Sequence, residues 1–562
     1  MAAPWWRSAS VYQIYVRSFA DSNADGIGDL RGISERMPYI ASLGVDAIWL
    51  NPCFPSPQID HGYDVADYFG IEPAYGDLAD FDALVATAKG LGIRVLMDVV
   101  PNHCSWDHAW FKAALAAGPN SPERERFYFR VGRGETGGLP PNNWGAIFGG
   151  SAWTRVTELD GQPGEWYLGV FTAAQPDWNF DSADVRDHFE RMLLFWFDRG
   201  VDGFRADAVT MVGKAAGLPD WEHAGVQAGG QAYEPNPHFT WLAHGHDVWR
   251  HWRSVVDQYE ETHPGRELLL VAEAYRADDP EFLLEYANPR EFHQAFAFDL
   301  MLTPWNAAVF RRVIDGTLSA FRKLDALPAW TLNNHDTQRT VSRYGREDIA
   351  DRQELFPGAI VNTNVSIDEA LGVARSRAAA LLELALPGCV YLYAGEELAL
   401  PEVLDLPAEA RQDPVFHNTG GATVGRDGCR IPLPWTVDAS GSHGFSPQAG
   451  VAAWLPQPDG WGAYAVDSQE SLPGSTLAMY REAGLIRRSD PNFTADSFEW
   501  ISEFGGDVVA FRRGEAIVVF NVSASPRTLD PGIVGTRSVL LSSVFGHDDP
   551  LMVPGNATLW LR

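Results

Sequence analysis

Eight short runs rich in β-branched and aromatic residues recur along this chain, and helical patterns lie between them. The runs are VYQIYVRSF (11–19), DAIWLNP (46–52), IRVLMDVV (93–100), VDGFRADAV (201–209), ELLLVAEAY (267–275), FHQAFAFDL (292–300), AWTLNNHD (329–336) and CVYLYAGEE (389–397). Amphipathic stretches separate them, among them DLADFDALVATAKGLG (77–92), VRDHFERMLLFWFDRG (185–200) and LGVARSRAAALLELALPG (371–388); the last two end in Gly, a common helix stop. A chain that alternates strand and helix in this way is constrained to a parallel sheet, and eight units predict an α/β fold closed as a (β/α)8 barrel.

Two gaps interrupt the repeat. Residues 104–175 are far too long for a loop between strand and helix, and their GGLPPNNWGAIFGG segment is rich in Gly, Pro and Asn. They read as a small inserted domain over the barrel mouth. A second Gly/Pro-rich gap covers about 398–475. Towards the C-terminus the helical pattern gives way to alternation in DVVAFRR, EAIVVFNVS, RSVLLSSV and ATLWLR, which predicts an all-β sandwich. The expected division is a barrel from 1–103 and 176–490, an insertion at 104–175 and a C-terminal domain at 491–562; 562 residues are too many for one core.

The formal net charge of −31 argues against nucleic acid or an anionic membrane as partner, since both call for a basic surface. A neutral substrate suits such a chain. Of the 21 tryptophans most are expected in the core, and flat aromatic faces also suit sugars. The N-terminal MAAPWWRSASVYQIY lacks a basic leader followed by an apolar core, and no run is long enough to span a bilayer. Cys53, Cys104, Cys389 and Cys429 are scattered without metal-ligand spacing, which predicts reduced thiols in a cytoplasmic protein, a monomer or homodimer.

Within VDGFRADAV, Arg205 and Asp207 stand two apart and so point to one side of their strand. Active sites of parallel barrels sit at the C-terminal strand ends. Polar residues cluster there: Asn102 and His103 after the third strand, Arg205 and Asp207 on the fourth, Glu273 on the fifth, His335 and Asp336 on the seventh. Three carboxylates from three strands fit glycosidic cleavage, in which an acid protonates the leaving oxygen and a carboxylate attacks or stabilises the oxocarbenium-like centre. Arg205 is expected to keep Asp207 ionised, as a nucleophile requires, and the apolar LLLVA before Glu273 to raise its pKa for acid/base work. Asp336 would hold sugar hydroxyls as the ring distorts.

DVVPNH (98–103), GFRADAV (203–209), the Glu of VAEAY (271–275) and NNHD (333–336) resemble, in order, the four signature segments of the α-amylase family of glycoside hydrolases. QPDWNF (175–180) and the strand-eight segment resemble further segments of that family, and the similarity runs from Val11 to about residue 490. The resemblance implies a retaining double displacement with Asp207 as nucleophile, Glu273 as acid/base and Asp336 as transition-state stabiliser. It implies that Asp98, His103, Arg205 and His335 position the sugar or the nucleophile, and Arg339 is assigned with the substrate-binding residues. Cys104 stands where Thr is usual, and VAEAY replaces a commoner Gly-Glu pair; neither removes a catalytic group.

PNNWGAIFGGSAW (141–153) and IDHGYDVADY (59–68) resemble the intracellular exo-acting α-glucosidases and oligo-1,6-glucosidases of the family. On that resemblance Asp60 and Tyr63 floor the sugar pocket, Arg430 of GRDGCRIPLPW (425–435) pairs with the Asp, and one terminal glucose fits. Phe148 and Phe171 are candidate stacking residues. Ala208 follows the nucleophile; in that family a Val there goes with α-1,6 preference, so the resemblance implies maltose and short α-1,4-linked glucosides as substrates, with some transglucosylation. The alternatives are an oligo-1,6-glucosidase or a transglucosidase such as a trehalose synthase or sucrose isomerase. DSNADGIGDL (21–30) places Asp21, Asn23, Asp25 and Asp29 at alternating positions around Gly26. The α-glucosidase group carries a structural Ca²⁺ in this loop with the Ile27 carbonyl as a further ligand; Mg²⁺ is the other candidate.

Overall fold

In the computed structural model, which describes residues 4–223, 235–346, 366–438 and 440–562, all eight expected strands form. They are β1 (Ser10–Ile14), β2 (Ala47–Leu50), β3 (Arg94–Val99), β4 (Gly203–Ala206), β5 (Leu269–Ala272), β6 (Gln294–Ala295), β7 (Ala329–Thr331) and β8 (Cys389–Tyr393). Every pairing is parallel, in the order β7-β8-β1-β2-β3-β4-β5-β6, and a parallel bridge from Phe296 to Ala329 closes the ring. Each strand is shorter than its apolar run. The residues past the strand ends leave the ladder to serve the mouth, and after β6 the chain turns at once into a helical turn at Phe298–Met301.

The period of two along each strand sorts side chains between two cores. Val11, Ala47, Trp49, Leu96, Leu269, Val271, Phe296 and Tyr391 point inward and plug the barrel. Ile48, Leu50, Val95, Met97 and Leu270 point outward against the helices. The next inward position on five strands is polar: Gln13 follows Val11, Asn51 follows Trp49, Asp98 follows Leu96, Arg205 follows Gly203 and Glu273 follows Val271. An apolar floor thus carries a charged layer directly above it.

The expected helices form at Leu78–Gly90, Ala183–Asp198 and Glu369–Leu384. Asp77 caps the first in a capping box with Asp80, satisfying otherwise orphaned amides. After β5 the helix shrinks to one turn, Leu283–Tyr286. The insertion folds as a three-stranded antiparallel sheet of Phe129–Arg130, Pro163–Leu168 and Trp153–Thr157. Its core of Tyr128, Trp144, Trp153 and Val170 also takes in Leu218, Trp221 and Phe239 from the loop after β4.

At the C-terminus a five-stranded antiparallel sheet runs Glu499–Ile501, Val508–Arg513, Ala516–Asn521, Ala557–Leu561, Val539–Ser542, with a two-stranded sheet beside it. It docks on helix Glu369–Leu384 through Thr558 Oγ1, which donates to the Ala378 carbonyl, and Trp560 Nε1, which donates to that of Leu381. This helix, covered by barrel and sheet, is buried from Ser376 to Leu384. Among the described residues no helix is long and apolar enough to cross a membrane.

Candidate active site

Two guanidinium groups organise the barrel mouth. Arg205 is the first. Register places it beside Asp98 on β3 and Val271 on β5. Its Nη1 reaches Asp98 Oδ1 at 2.9 Å and Asp207 Oδ1 at 2.6 Å, and its Nη2 reaches Glu273 Oε1 at 2.8 Å. Backbone bonds carried past the strand ends hold these carboxylates: the Asp207 amide donates to Val99 O and the Glu273 amide to Ala206 O. The Ala208 amide donates to Glu273 Oε2 at 2.8 Å from a left-handed backbone with φ +44°.

Three carboxylates around one cation overturn the expectation that Arg205 alone keeps Asp207 ionised. Burial pushes the Asp207 carboxyl well up, the Glu273 charge pushes it further, and Arg205 opposes them without prevailing. Asp98 rises to about 7, chiefly by burial and against Arg205. The sequence shows Arg205 next to Asp207; it does not show that the same guanidinium is shared with Asp98 and Glu273.

Arg426 is the second centre. Its Nη2 lies 2.9 Å from Asp60 Oδ1, its Nη1 3.0 Å from Asp336 Oδ1 and its Nε 2.7 Å from Asp413 Oδ2. The partner of Asp60 is therefore Arg426, not Arg430 as expected. Arg430 instead bonds Asp336 Oδ1 through Nη2 at 2.9 Å and the His335 carbonyl through Nε at 2.8 Å. Two arginines in one short loop are indistinguishable until the loop is folded. Burial alone would raise the Asp336 carboxyl; His335, Arg426 and Arg430 more than offset it and hold it far below the usual carboxylate range. Burial leaves His335 uncharged, so the arginines carry that effect.

Tyr63 joins the two centres. Its hydroxyl donates to Asp98 Oδ2 at 3.0 Å and accepts from Asn51 Nδ2 at 2.8 Å, and its ring stacks on His335 at 5.3 Å. Gln13 Nε2 donates to His335 Nδ1 at 2.8 Å, so the neutral imidazole carries its proton on Nε2, 2.6 Å from the Tyr63 hydroxyl and 3.2 Å from Asp336 Oδ2.

The wall is aromatic and polar. Phe171 packs on His103 at 4.7 Å and on Phe148 at 5.6 Å, and the Arg426 guanidinium lies over the Phe148 ring. Gln175 Nε2 donates to Asp60 Oδ2 at 3.0 Å. Solvent access then separates the acidic groups. The Asp207, Asp336 and Glu273 side chains are 12, 13 and 22% exposed, whereas Asp98 and Asp413 are 0%. Of the charged groups in these two centres, those three present the most surface to a molecule in the mouth.

Arg339 does not join them. Its guanidinium donates to the Ala394 and Cys429 carbonyls and lies over Tyr393, so it pins the loop after β8 rather than facing substrate. Asp413, Arg426, Gln13 and Gln175 were missed, because each sits in a loop or on a strand where only contact distinguishes it; the Gln of QPDWNF was the one visible signal.

In the 21–29 loop, Asp21 Oδ2 accepts from the Gly26 amide, Asn23 Oδ1 from Asp25, Asp25 Oδ1 from Ile27, and Asp29 Oδ1 from Gly32. Gly26 has φ +87°, and a Cβ there would lie 2.3 Å from the Ala452 carbonyl oxygen. The donors are all oxygens, as hard cations need. As folded they serve backbone amides, and among the described residues no three Asp, Glu, His or Cys side chains converge as metal ligands.

Buried acids set a pH profile for stability. Burial raises Asp64 to about 6 and Asp98, Glu396 and Glu402 to about 7. The folded chain holds protons there that the unfolded chain has lost, so this contribution is present below about pH 4 and disappears as pH rises through 6 to 7. Asp336 and Asp413 are depressed and act oppositely, losing their contribution as pH falls below about 4. From these acids, urea melts across pH are expected to show maximal stability at about pH 4; a flat profile from 4 to 8 would contradict these assignments.

Residues 13–496 match the family described as alpha amylase, catalytic domain. An alpha-glucosidase of Culex pipiens is 34% identical over 545 residues, covering 94% of this chain and 84% of the relative. An oligo-1,6-glucosidase of Parageobacillus thermoglucosidasius is 31% identical, covering 97% of this chain and 95% of the relative. The crystal structure of an alpha-glucosyl transfer enzyme superimposes with a TM-score of 0.82 at 32% identity, covering 100% of this chain and 99% of that one. With a family match that spans most of its length and the matching barrel beneath it, the chain belongs to the α-amylase family of glycoside hydrolases.

Proposed function

We propose that the protein is an exo-acting, retaining α-glucosidase that releases α-glucose from the non-reducing end of maltose and short α-1,4-linked glucosides. The observation that carries this reading is the selective exposure of Asp207, Glu273 and Asp336 above a layer of buried charge. Asp207 and Glu273 share one guanidinium, which favours the short separation of a nucleophile and acid/base pair over the wider gap of inverting enzymes. Their mutual repulsion suits a pair that holds one proton between them. In the reactive form Asp207 is charged and attacks the anomeric carbon, while Glu273 passes its proton to the departing oxygen. Glu273 then takes a proton from water, which displaces Asp207 and restores the α-anomer. Asp336, kept ionised by two arginines, stabilises the positive ring. Asp60, Arg426 and Asp413 close the far end, which supports exo action.

Product analysis by NMR with maltose, isomaltose, trehalose and sucrose tests the reading: α-glucose should appear first from maltose, before mutarotation. Conversion of maltose to new disaccharides with little free glucose would mean that a sugar, not water, accepts the glucosyl group. The likeness to an alpha-glucosyl transfer enzyme favours that as the second reading.

Ala208 supports the α-1,4 preference. A Val there would crowd the leaving group and force a β-branched residue into a left-handed backbone, pulling the amide off Glu273. Ala208→Val is expected to lower kcat/KM on maltose about 10–200-fold relative to isomaltose. An unchanged ratio would remove Ala208 from the specificity argument.

We further propose that Asp21, Asn23, Asp25, Asp29 and the Ile27 carbonyl hold a structural Ca²⁺, on the strength of their oxygen-only donor set. Chelation should lower Tm by several degrees, and Ca²⁺ should restore it better than Mg²⁺; no change in Tm would refute it. The four cysteines are buried and free of disulfides, which supports a cytoplasmic location.

A further inference from the structure

His61 is buried in a backbone conformation that disfavours it. Its φ of +51° and the +101° of Gly62 lie in the left-handed region, and the Tyr63 amide donates to the Asp60 carbonyl at 3.0 Å across them. Asp60 and Tyr63 therefore stand at the two ends of one tight turn, with His61 at its first central position. Asparagine suits that position better, because it enters left-handed backbone at lower cost. The backbone alone gives no reason for an imidazole there.

The ring is held on both sides. Arg17 Nη1 lies 2.7 Å from His61 Nδ1, and the Trp454 ring packs on the imidazole at 5.4 Å and beneath the Arg17 guanidinium at 4.0 Å. A guanidinium only donates, so Nδ1 accepts. Burial and the Arg17 charge keep the ring neutral, and its single proton resides on Nε2. That N–H faces Asp427 Oδ1 at 3.9 Å, too far for a hydrogen bond. Both atoms are sealed from solvent, and neither has a hydrogen-bond partner among the described residues. Asp427 is held back from closing the gap, because its Oδ2 accepts from the Gln412 and Asp413 amides at 2.8 and 3.0 Å. A water set off the line between the two atoms, about 2.8 Å from each, would subtend an angle of about 90° and satisfy both. Arg430 supplies a further buried, unpartnered donor, Nη1, from the same short loop.

We propose that His61 is a positioning residue: through one buried water between its Nε2 and Asp427 Oδ1, it fastens the turn that carries Asp60 and Tyr63 to the loop that carries Arg426 and Arg430. The link continues through the Asp413 amide on Asp427 to the Asp413 carboxylate, which holds Arg426, and Arg426 returns to Asp60. A closed ring of contacts thus sets the width of the pocket's far end. The effect on a sugar rests on the α-glucosidase reading; the water site does not.

A crystal structure of the protein reads the site directly. One water is expected within about 3.2 Å of both His61 Nε2 and Asp427 Oδ1; direct contact between the two, or an empty gap, would overturn the proposal. Kinetics then separate the N–H from the backbone. His61→Gln keeps an acceptor for Arg17 and a donor at the place of Nε2, although it fits left-handed backbone less well. His61→Asn fits the backbone but lacks a donor at that place. His61→Asn should raise KM about 10-fold or more for maltose and for p-nitrophenyl α-glucoside alike, which share only the terminal glucose, with a smaller change in kcat; His61→Gln should stay within about threefold of the wild type. Urea melts confirm that each variant is folded. His61→Asn performing as well as His61→Gln would mean that the turn and not the N–H matters, and a rise confined to maltose would place the effect on the leaving-group side; either result refutes the positioning role. A wild type that holds the water but turns over no α-glucoside would sink the α-glucosidase reading and leave the link between the two loops standing.

Discussion

Asp207→Asn should lower turnover of maltose by about 10⁴-fold or more while leaving the fold as stable as before or more so. The rate loss follows from chemistry: an amide cannot form the glucosyl ester, and no other exposed carboxylate stands on Arg205 except Glu273, which is needed to move the proton. The stability follows from electrostatics. Asp207 is pushed up by burial and by Glu273, so its charge is a cost that folding carries. Removing that charge leaves Arg205 paired with Asp98 and Glu273 and is expected to add about 0.5–2 kcal/mol. Steady-state kinetics with a urea melt on the same sample check both halves. Activity within tenfold of the wild type would end the assignment of Asp207 as nucleophile. Equal loss of activity and stability would instead show that Asp207 holds the barrel mouth together.

The second large effect lies at the other guanidinium. Arg426→Met leaves Asp60, Asp336 and Asp413 around an uncharged side chain, and Asp413 is wholly buried. Breaking a buried ionic set by removing its cation costs about 3–5 kcal/mol, because the remaining charges are stranded. The loss in kcat/KM is expected at about 10³-fold or more, since the closed end of the pocket depends on this group and the ionisation of Asp336 depends on it together with Arg430. Arg426→Lys restores charge but not the fork that touches three carboxylates, so it should recover stability more than activity. Arg430→Met provides the contrast. It should weaken Asp336 and leave Asp60 paired, giving a smaller rise in KM than Arg426→Met. If the two variants behaved alike, or Arg426→Met stayed within about 1 kcal/mol of the wild type, the hub assignment would fail.

Much of this protein is legible in its residues alone. Eight apolar runs at helical separations leave little but a closed parallel barrel, and the period of two along each strand carries Asp98, Arg205 and Glu273 to the inner face above the plug. The three exposed carboxylates can be named for the same reason: they stand at strand ends, where backbone geometry dictates direction. What the linear order could not supply is how charges are shared. Whether Arg426 or Arg430 meets Asp60, whether Arg339 faces the pocket or a carbonyl, and whether Arg205 serves one carboxylate or three all depend on loops whose path no local periodicity specifies. Ionisation shows the same division. It depends on burial and on every charge within a few ångströms, most of them distant in sequence, so Asp207 next to Arg205 reads as an ion pair along the chain and becomes one of three acids on a single cation once the barrel closes.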